Sequence, residues 1–334
     1  MKNKTITKKG TALGTSMVAL AILGTLCLSC SAKNQSEDNT NGTTTVSNGD
    51  MTITTTDDWT AAKTTTKTLD LPTFHAVSNN TSVDITYTQG SKQKVVAEIP
   101  DAILDKVSIT VKDGMLTLNT KKRFNIKNSG IKLHITAPTI SSLYNNGSMT
   151  FRTTAWSGTP VSISNNGAFT LHGNISNKKE VKFENNGAFT YKDGALECGS
   201  LYISNNGAST VNVPITASGD VKLDNNGSSK ITSSIRAKSY SERCDGASKA
   251  ELDIKAETLK LDIDGAGKGT VHFVGKEATI HGDGSSKLDL DVDCSKLYVI
   301  SGGVAKITVK GTADETKFQN DGVTKVDASG LNNL

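Results

Sequence analysis

Val161-Ser-Ile-Ser-Asn-Asn-Gly-Ala-Phe-Thr-Leu171 returns twenty residues later as Val181-Lys-Phe-Glu-Asn-Asn-Gly-Ala-Phe-Thr-Tyr191, a short strand, a tight turn and a second short strand. Working outward, the glycine of that turn recurs ten times: Gly147, Gly167, Gly187, Gly207, Gly227, Gly246, Gly265, Gly284, Gly303 and Gly322. The spacing is 20 residues as far as Gly227 and 19 beyond it. A fixed period of this kind marks a solenoid, in which each repeat packs only on its neighbours and length adds along one axis. The chain is therefore predicted to be all-β, a parallel β-helix with 19–20-residue rungs, and ten rungs at a strand spacing of about 4.8 Å extend about 48 Å.

Alternate residues of a strand share a face. Six and four positions before the glycine stand Val161/Ile163, Val181/Phe183, Leu201/Ile203, Val221/Leu223, Leu259/Leu261 and Leu297/Val299; four positions after it stand Phe151, Leu171, Tyr191, Val211, Ile231, Leu288, Ile307 and Val326. These files are expected inside, with the intervening Ser, Thr, Lys and Asp outside. Because a deletion within a strand would turn every later side chain to the opposite face, the residue lost at the change from 20 to 19 is expected in the outer loop around Ser233 to Ser239.

Two positions before the glycine stand Asn145, Asn165, Asn185, Asn205 and Asn225, followed by Cys244 and Ile263. Parity places this file inside, where an amide must be hydrogen-bonded, so the five asparagines are expected to stack as a structural ladder that holds the turns. The glycines are expected to supply a positive φ or a close approach there. Asp245, Asp264, Asp283 and Asp321 occupy the position just before the glycine, and Lys230, Lys249, Lys268, Lys287, Lys306 and Lys325 the third position after it, where earlier rungs have Thr150, Thr170, Thr190 and Thr210. Six stacked ammonium groups repel one another, and the nearby Asp file is expected to offset this. The lysines and aspartates form either a solvated charge ladder or a binding stripe for polysaccharide or another anionic surface.

Cys198, Cys244 and Cys294 lie two to five rungs apart, beyond the reach of a disulfide, and are expected as free buried thiols. His75, His134, His172, His272 and His281 fall in different files with no pair at ligand spacing, so no metal is expected. Nucleophile elbows, phosphate loops and Cys-His constellations are lacking. Repeats of uniform length leave no insertion to build a cleft, so catalysis is not expected and no cofactor is called for; polysaccharide cleavage by stacked carboxylates is the enzymatic alternative. A net charge of +4, carried mostly by lysine without an Arg-rich stripe or aromatic platform, argues against nucleic acid.

Lys2, Lys4, Lys8 and Lys9 precede an apolar run from Met17 to Leu28. Its length and flanks read as a secretory signal. Cys27-Leu28-Ser29-Cys30 resembles a lipobox, with Cys30 as the lipidated residue, although Cys27 stands where that motif usually has Leu. Residues 1–30 are thus read as a lipoprotein signal, 31–68 as a disordered Ser/Thr/Asn-rich tether and 69–334 as the β-helix.

Three segments, Leu69-Asp-Leu-Pro-Thr-Phe-His-Ala-Val-Ser-Asn-Asn-Thr-Ser-Val-Asp-Ile-Thr-Tyr87, Leu104-Asp-Lys-Val-Ser-Ile-Thr-Val-Lys-Asp-Gly-Met-Leu-Thr-Leu118 and Gly130-Ile-Lys-Leu-His-Ile-Thr-Ala-Pro138, precede the glycine turns. In this order they resemble the "putative auto-transporter adhesin, head GIN domain" family of Bacteroidetes-type envelope proteins. The resemblance covers about Leu69 to Leu334 and implies a right-handed parallel β-helix and no catalytic residues. Many members have Ser-Gly-Ser at the turn where this chain has Asn-Asn-Gly or Asp-Gly. The expected function is a lipid-anchored outer-membrane protein, periplasmic or surface-exposed, that presents a rigid surface for adhesion or for binding glycans and other cell-surface molecules. The alternative is a scaffold that forms a homo-oligomer through its last rung, Val323 to Val326.

Overall fold

The computed structural model describes residues 36–40, 43–48, 51–56, 63–120, 130–321 and 323–333. The signal segment with Cys30, and Gly322, lie outside them. Among the described residues there is no α-helix, only strands and a single 3-10 turn at Asp101–Ile103. The chain divides into two compact units, Met1–Thr56 and Asp57–Leu334.

The first unit holds three antiparallel strands, Ser36–Thr40, Thr43–Asn48 and Met51–Thr56. They fall in the segment read from sequence as a tether. Thr is a good strand former, which a composition argument based on low hydrophobicity does not weigh.

In the second unit the strand before each turn stacks parallel and in register on its equivalents, as in Ile163, Phe183, Ile203 and Leu223. The strand after the turn does the same through Leu171, Tyr191, Val211 and Ile231. All eight of these side chains are buried. Burying each apolar side chain of this size contributes roughly 1.5–3 kcal/mol, and the files supply it in every rung. The change of period falls between Arg236 and Ser239: Thr216 still pairs with Arg236, 20 residues on, whereas Asp220 pairs with Ser239, 19 residues on. Ala237-Lys238 replaces Ala217-Ser218-Gly219 at an outer corner, so neither flanking strand changes face.

The parallel coil does not extend through the N-terminal part of the unit. Thr64–Leu69 runs antiparallel to Lys94–Pro100, which runs antiparallel to Lys132–Ala137, and Val107–Lys112 forms a hairpin with Met115–Thr120. The sheet thus begins at Thr64, before the Leu69 boundary read from sequence. Between these strands and the repeats lies one further rung, Ala76–Asn79 and Ser82–Gln89, which pairs in parallel with Ser142–Asn145 and Ser148–Trp156. The intervening chain covers this rung's other edge, as open sheet edges require if they are not to pair with other chains. Tyr87, Phe151 and Trp156 fill the interior here, with Phe151 and Trp156 ring centroids 5.1 Å apart and Trp156 Nε1 donating to the Ile140 carbonyl at 2.6 Å.

The turns are held by two ladders of asparagine. Inside, Asn145 Nδ2 donates to Asn165 Oδ1, Asn165 to Asn185, Asn185 to Asn205 and Asn205 to Asn225, at 2.8, 2.7, 2.7 and 2.6 Å. Asn79, one rung earlier, donates to Asn145 at 2.8 Å and begins the ladder. Outside, the donors point the other way: Asn166 donates to Asn146, Asn186 to Asn166, Asn206 to Asn186 and Asn226 to Asn206, at 2.9 to 3.1 Å. The two rows of side-chain dipoles therefore oppose each other along the axis.

The turn glycines act through close approach. A Cβ at Gly167, Gly187, Gly207, Gly227, Gly246 or Gly265 would lie closer than 3.0 Å to the carbonyl oxygen of the turn glycine one rung earlier. Gly303 also has a positive φ of 64°.

Candidate functional site

Each turn is a crest with one outer face before it and another after it. On the face after the crest, Lys230, Lys249, Lys268, Lys287, Lys306 and Lys325 pair in register from rung to rung, and all six are exposed. At about 4.8 Å per rung they form a row about 24 Å long. Among the described residues, Lys249 is the member of this row with an ion pair within 4.0 Å, to Glu251 at 3.6 Å. Charge this exposed is screened by solvent and adds little stability, so the row is free to meet anions.

The aspartates do not offset the lysines as expected from the sequence. Asp245, Asp264 and Asp283 belong to the face before the crest, where each lies within 4.0 Å of Arg243 or His281. Arg243 Nε lies 3.1 Å from Asp245 Oδ1, Arg243 Nη2 lies 3.7 Å from Asp264 Oδ2, and His281 Nε2 lies 3.4 Å from Asp283 Oδ2. The other nitrogen of His281 lies 3.0 Å from Asp262 Oδ1. Arg243 thereby bridges two rungs and His281 two, and Asp262, Asp264 and His281 each bring one donor atom within 4.8 Å of the others. Spacing along the chain hid this grouping, because its members come from two rungs and two files.

Beside the lysine row lies a groove of about 670 Å³, with Val213, Pro214 and Leu252 as its apolar walls and Glu251, Asp253 and His272 at its rim. Ser233 opens it: the residues stacked near it are larger, and its Oγ turns to the Val213 carbonyl at 2.8 Å. His272 Nδ1 lies 3.0 Å from Asp253 Oδ1, and His172 and His134 likewise lie 2.9 and 3.2 Å from Asp193 and Glu98.

One core group escaped the sequence reading. Glu242 occupies the file of Leu223 and Leu261, is only 5% exposed, and accepts hydrogen bonds from Tyr240 Oη at 2.9 Å and Ser248 Oγ at 3.2 Å. The same counting from the glycine that located the apolar files would have flagged it. Burial pushes its carboxyl pKa above the ordinary value of 4.5, against the pull of the two hydrogen bonds. The folded state therefore holds this proton more tightly than the unfolded chain, and its stability contribution is lost as pH rises from about 4.5 through the raised folded value. Glu242→Gln should remove that dependence: in urea melts from pH 4 to 8 the variant gains on the parent as pH rises. Curves that stay parallel would place the carboxyl in solvent.

Cys198, Cys244 and Cys294 are free and buried. Burial raises the thiols of Cys198 and Cys294 to about 12 and about 11, which leaves them protonated and unreactive at neutral pH.

No curated protein matches the chain. Solved structures do. A protein described as a "putative adhesin" from Bacteroides fragilis NCTC 9343 is 18% identical, over 80% of this chain and 98% of its own, with a TM-score of 0.34. A "putative adhesin" from Parabacteroides merdae ATCC 43184 is 16% identical over 80% and 96%, with a TM-score of 0.36. A "putative lipid binding protein" from Parabacteroides distasonis ATCC 8503 is 14% identical over 80% and 97%, with a TM-score of 0.38. The model of the family "Putative auto-transporter adhesin, head GIN domain" matches residues 73–280, from the first rung beneath the repeats to the strand that carries Ile280, and the chain belongs to that family.

Proposed function

We propose that this protein is a non-catalytic envelope adhesin, anchored in the outer membrane through a lipid on Cys30, that binds acidic glycans of cell surfaces along Lys230, Lys249, Lys268, Lys287, Lys306 and Lys325. The observation that carries the reading is the exposed, in-register row of six lysines. A rigid solenoid fixes the spacing of these charges, so a linear polyanion can meet several of them without the ordering cost of a flexible basic tail. Membership of the head GIN domain family supports an adhesive envelope role. Asp245, Asp264 and Asp283 face Arg243 and His281 and are left outside the contact surface.

The triple variant Lys268→Glu/Lys287→Glu/Lys306→Glu should weaken binding to acidic polysaccharide at least about tenfold, with a melting temperature within a few degrees of the parent, because exposed charges contribute little to folding. Calorimetric titration beside a thermal melt checks both parts. Undiminished binding would mean that the row is only solvated.

A further inference from the structure

Two residues beyond each lysine, on the same strand and the same outer face, stand Thr232, Glu251, Thr270, Asp289, Thr308 and Asp327. They too stack in register: Thr232 on Glu251, Glu251 on Thr270, Thr270 on Asp289, Asp289 on Thr308 and Thr308 on Asp327. Hydroxyl and carboxylate therefore alternate through six consecutive rungs beside an unbroken row of lysines. Lys249, Lys287 and Lys325 each share their strand with an acid, whereas Lys230, Lys268 and Lys306 share theirs with a threonine.

The neighbouring files do not blur this alternation. On the crest side the flanking positions are Ser228, Ala247, Ala266, Ser285, Val304 and Val323, all uncharged. On the far side Asp253 and Asp291 are already taken, by His272 at 3.0 Å and by Lys310 at 3.1 Å. Lys249 lies 3.6 Å from Glu251 on its own strand. Asp327 is held below the ordinary carboxylate range first by hydrogen bonds from Ser329, then by Lys325 of its own strand and, after it, Lys306 of the next. The ammonium groups without an acid on their own strand thus recur at every second rung, about 9.6 Å apart, although lysine recurs at every rung.

A linear pyranose chain laid along the axis advances about one rung per sugar. We propose that this face selects an acidic polysaccharide with a two-sugar repeat, one anionic group per disaccharide. This rests on the reading of the lysine row as a glycan surface. The carboxylate or sulfate of the acidic sugar meets Lys230, Lys268 or Lys306. The neutral sugar between them lies over Glu251 or Asp289, whose carboxylates accept hydrogen bonds from its hydroxyls and repel an anion at that position. Threonine hydroxyls beside the unshared lysines donate to or accept from the acidic sugar. Selectivity comes from this repulsion as much as from the attraction.

The test titrates the full chain with hyaluronan oligosaccharides, which carry one carboxylate per disaccharide, and with polygalacturonate, which carries one per sugar, at matched ionic strength. Two variants are compared, Lys230→Gln/Lys268→Gln/Lys306→Gln and Lys249→Gln/Lys287→Gln/Lys325→Gln; both lose three charges, so bulk electrostatics changes equally. Hyaluronan affinity should fall at least about tenfold in the first and less than about threefold in the second. Glu251→Gln/Asp289→Asn should in turn raise affinity for polygalacturonate more than for hyaluronan. Equal losses in the two lysine variants would overturn the two-sugar periodicity while leaving polyanion binding intact. If neither polymer binds saturably, the glycan reading of the row falls and the periodicity with it.

Discussion

Gly207→Ala is expected to cost this protein several kcal/mol, a large fraction of the stability of an ordinary domain, for the sake of a single methyl group. The added Cβ would fall closer than 3.0 Å to the carbonyl oxygen of Gly187 and to backbone atoms of Asn186. Those atoms cannot yield as a side-chain tip would, because Ala208 N donates to the Gly187 carbonyl at 2.8 Å and Gly207 N to the Asn185 carbonyl at 3.2 Å. Relief requires two rungs to separate at the crest, which breaks the backbone bonds and pulls the inner and outer asparagines of both rungs out of reach. Forced backbone shifts typically cost about 1–3 kcal/mol and occasionally more, and a clash with fixed backbone atoms belongs at the upper end. Ala208→Gly, one residue away on an exposed site, is the matched comparison and should cost about 0.5–1 kcal/mol, the ordinary penalty of glycine in a strand. Chemical denaturation of the two variants checks the contrast, and similar midpoints would show that the rungs do not approach as closely as described.

The second large effect is expected at Asn185→Ala. The Asn185 amide donates to Asn205 Oδ1 at 2.7 Å, to the Ala208 carbonyl at 2.9 Å and to the Gly187 carbonyl at 3.0 Å, while its Oδ1 accepts from Asn165 Nδ2 at 2.7 Å and Gly187 N at 3.2 Å. Truncation takes the donor from Asn205 Oδ1 in a site that water does not reach, while Asn165 Nδ2 keeps the carbonyls of Gly167 and Ala188. One buried orphan of this kind costs about 1–3 kcal/mol, which is the expected loss. Asn225→Ala should cost less: this last asparagine donates only to Cys244 Sγ at 3.5 Å and the Ala247 carbonyl at 3.4 Å, both long contacts. Equilibrium melts of the two variants give the ranking. If the end position proved as sensitive as the middle one, the stabilisation would reside in the turn itself and the stack would be incidental.

Much of this architecture was legible because a solenoid repeats its own neighbours. Ile163, Phe183 and Ile203 pack on one another for the same reason that they recur every 20 residues, so period and parity alone locate the inner files. The loop that absorbs the change from 20 to 19 was legible on the same ground. Asn79 was not: its turn reads Asn79-Asn80-Thr81, without the glycine, and its partner Asn145 comes 66 residues later. No glycine is needed there because Thr81 stands at the start of the turn column, and the clash that glycine avoids is with the turn one rung earlier. The hairpins beneath that rung carry no period at all. At the candidate site the lysine row was readable by counting. Its relation to charge was not, since counting shows which residues share a file and leaves open which neighbouring files share a face.

The amino-acid sequence by itself determined the coil, its rung length, which files face inward and that lysines stack, because each follows from repetition and from the two-residue alternation of a strand. Only the tertiary structure decided that Asp245, Asp264 and Asp283 answer to Arg243 and His281 across the crest from the lysines, and that an early rung is completed by one 66 residues away. Those pairings are made through space between different files or across an aperiodic excursion of the chain. Distance there is set by where the backbone turns, and spacing along the sequence carries no record of it.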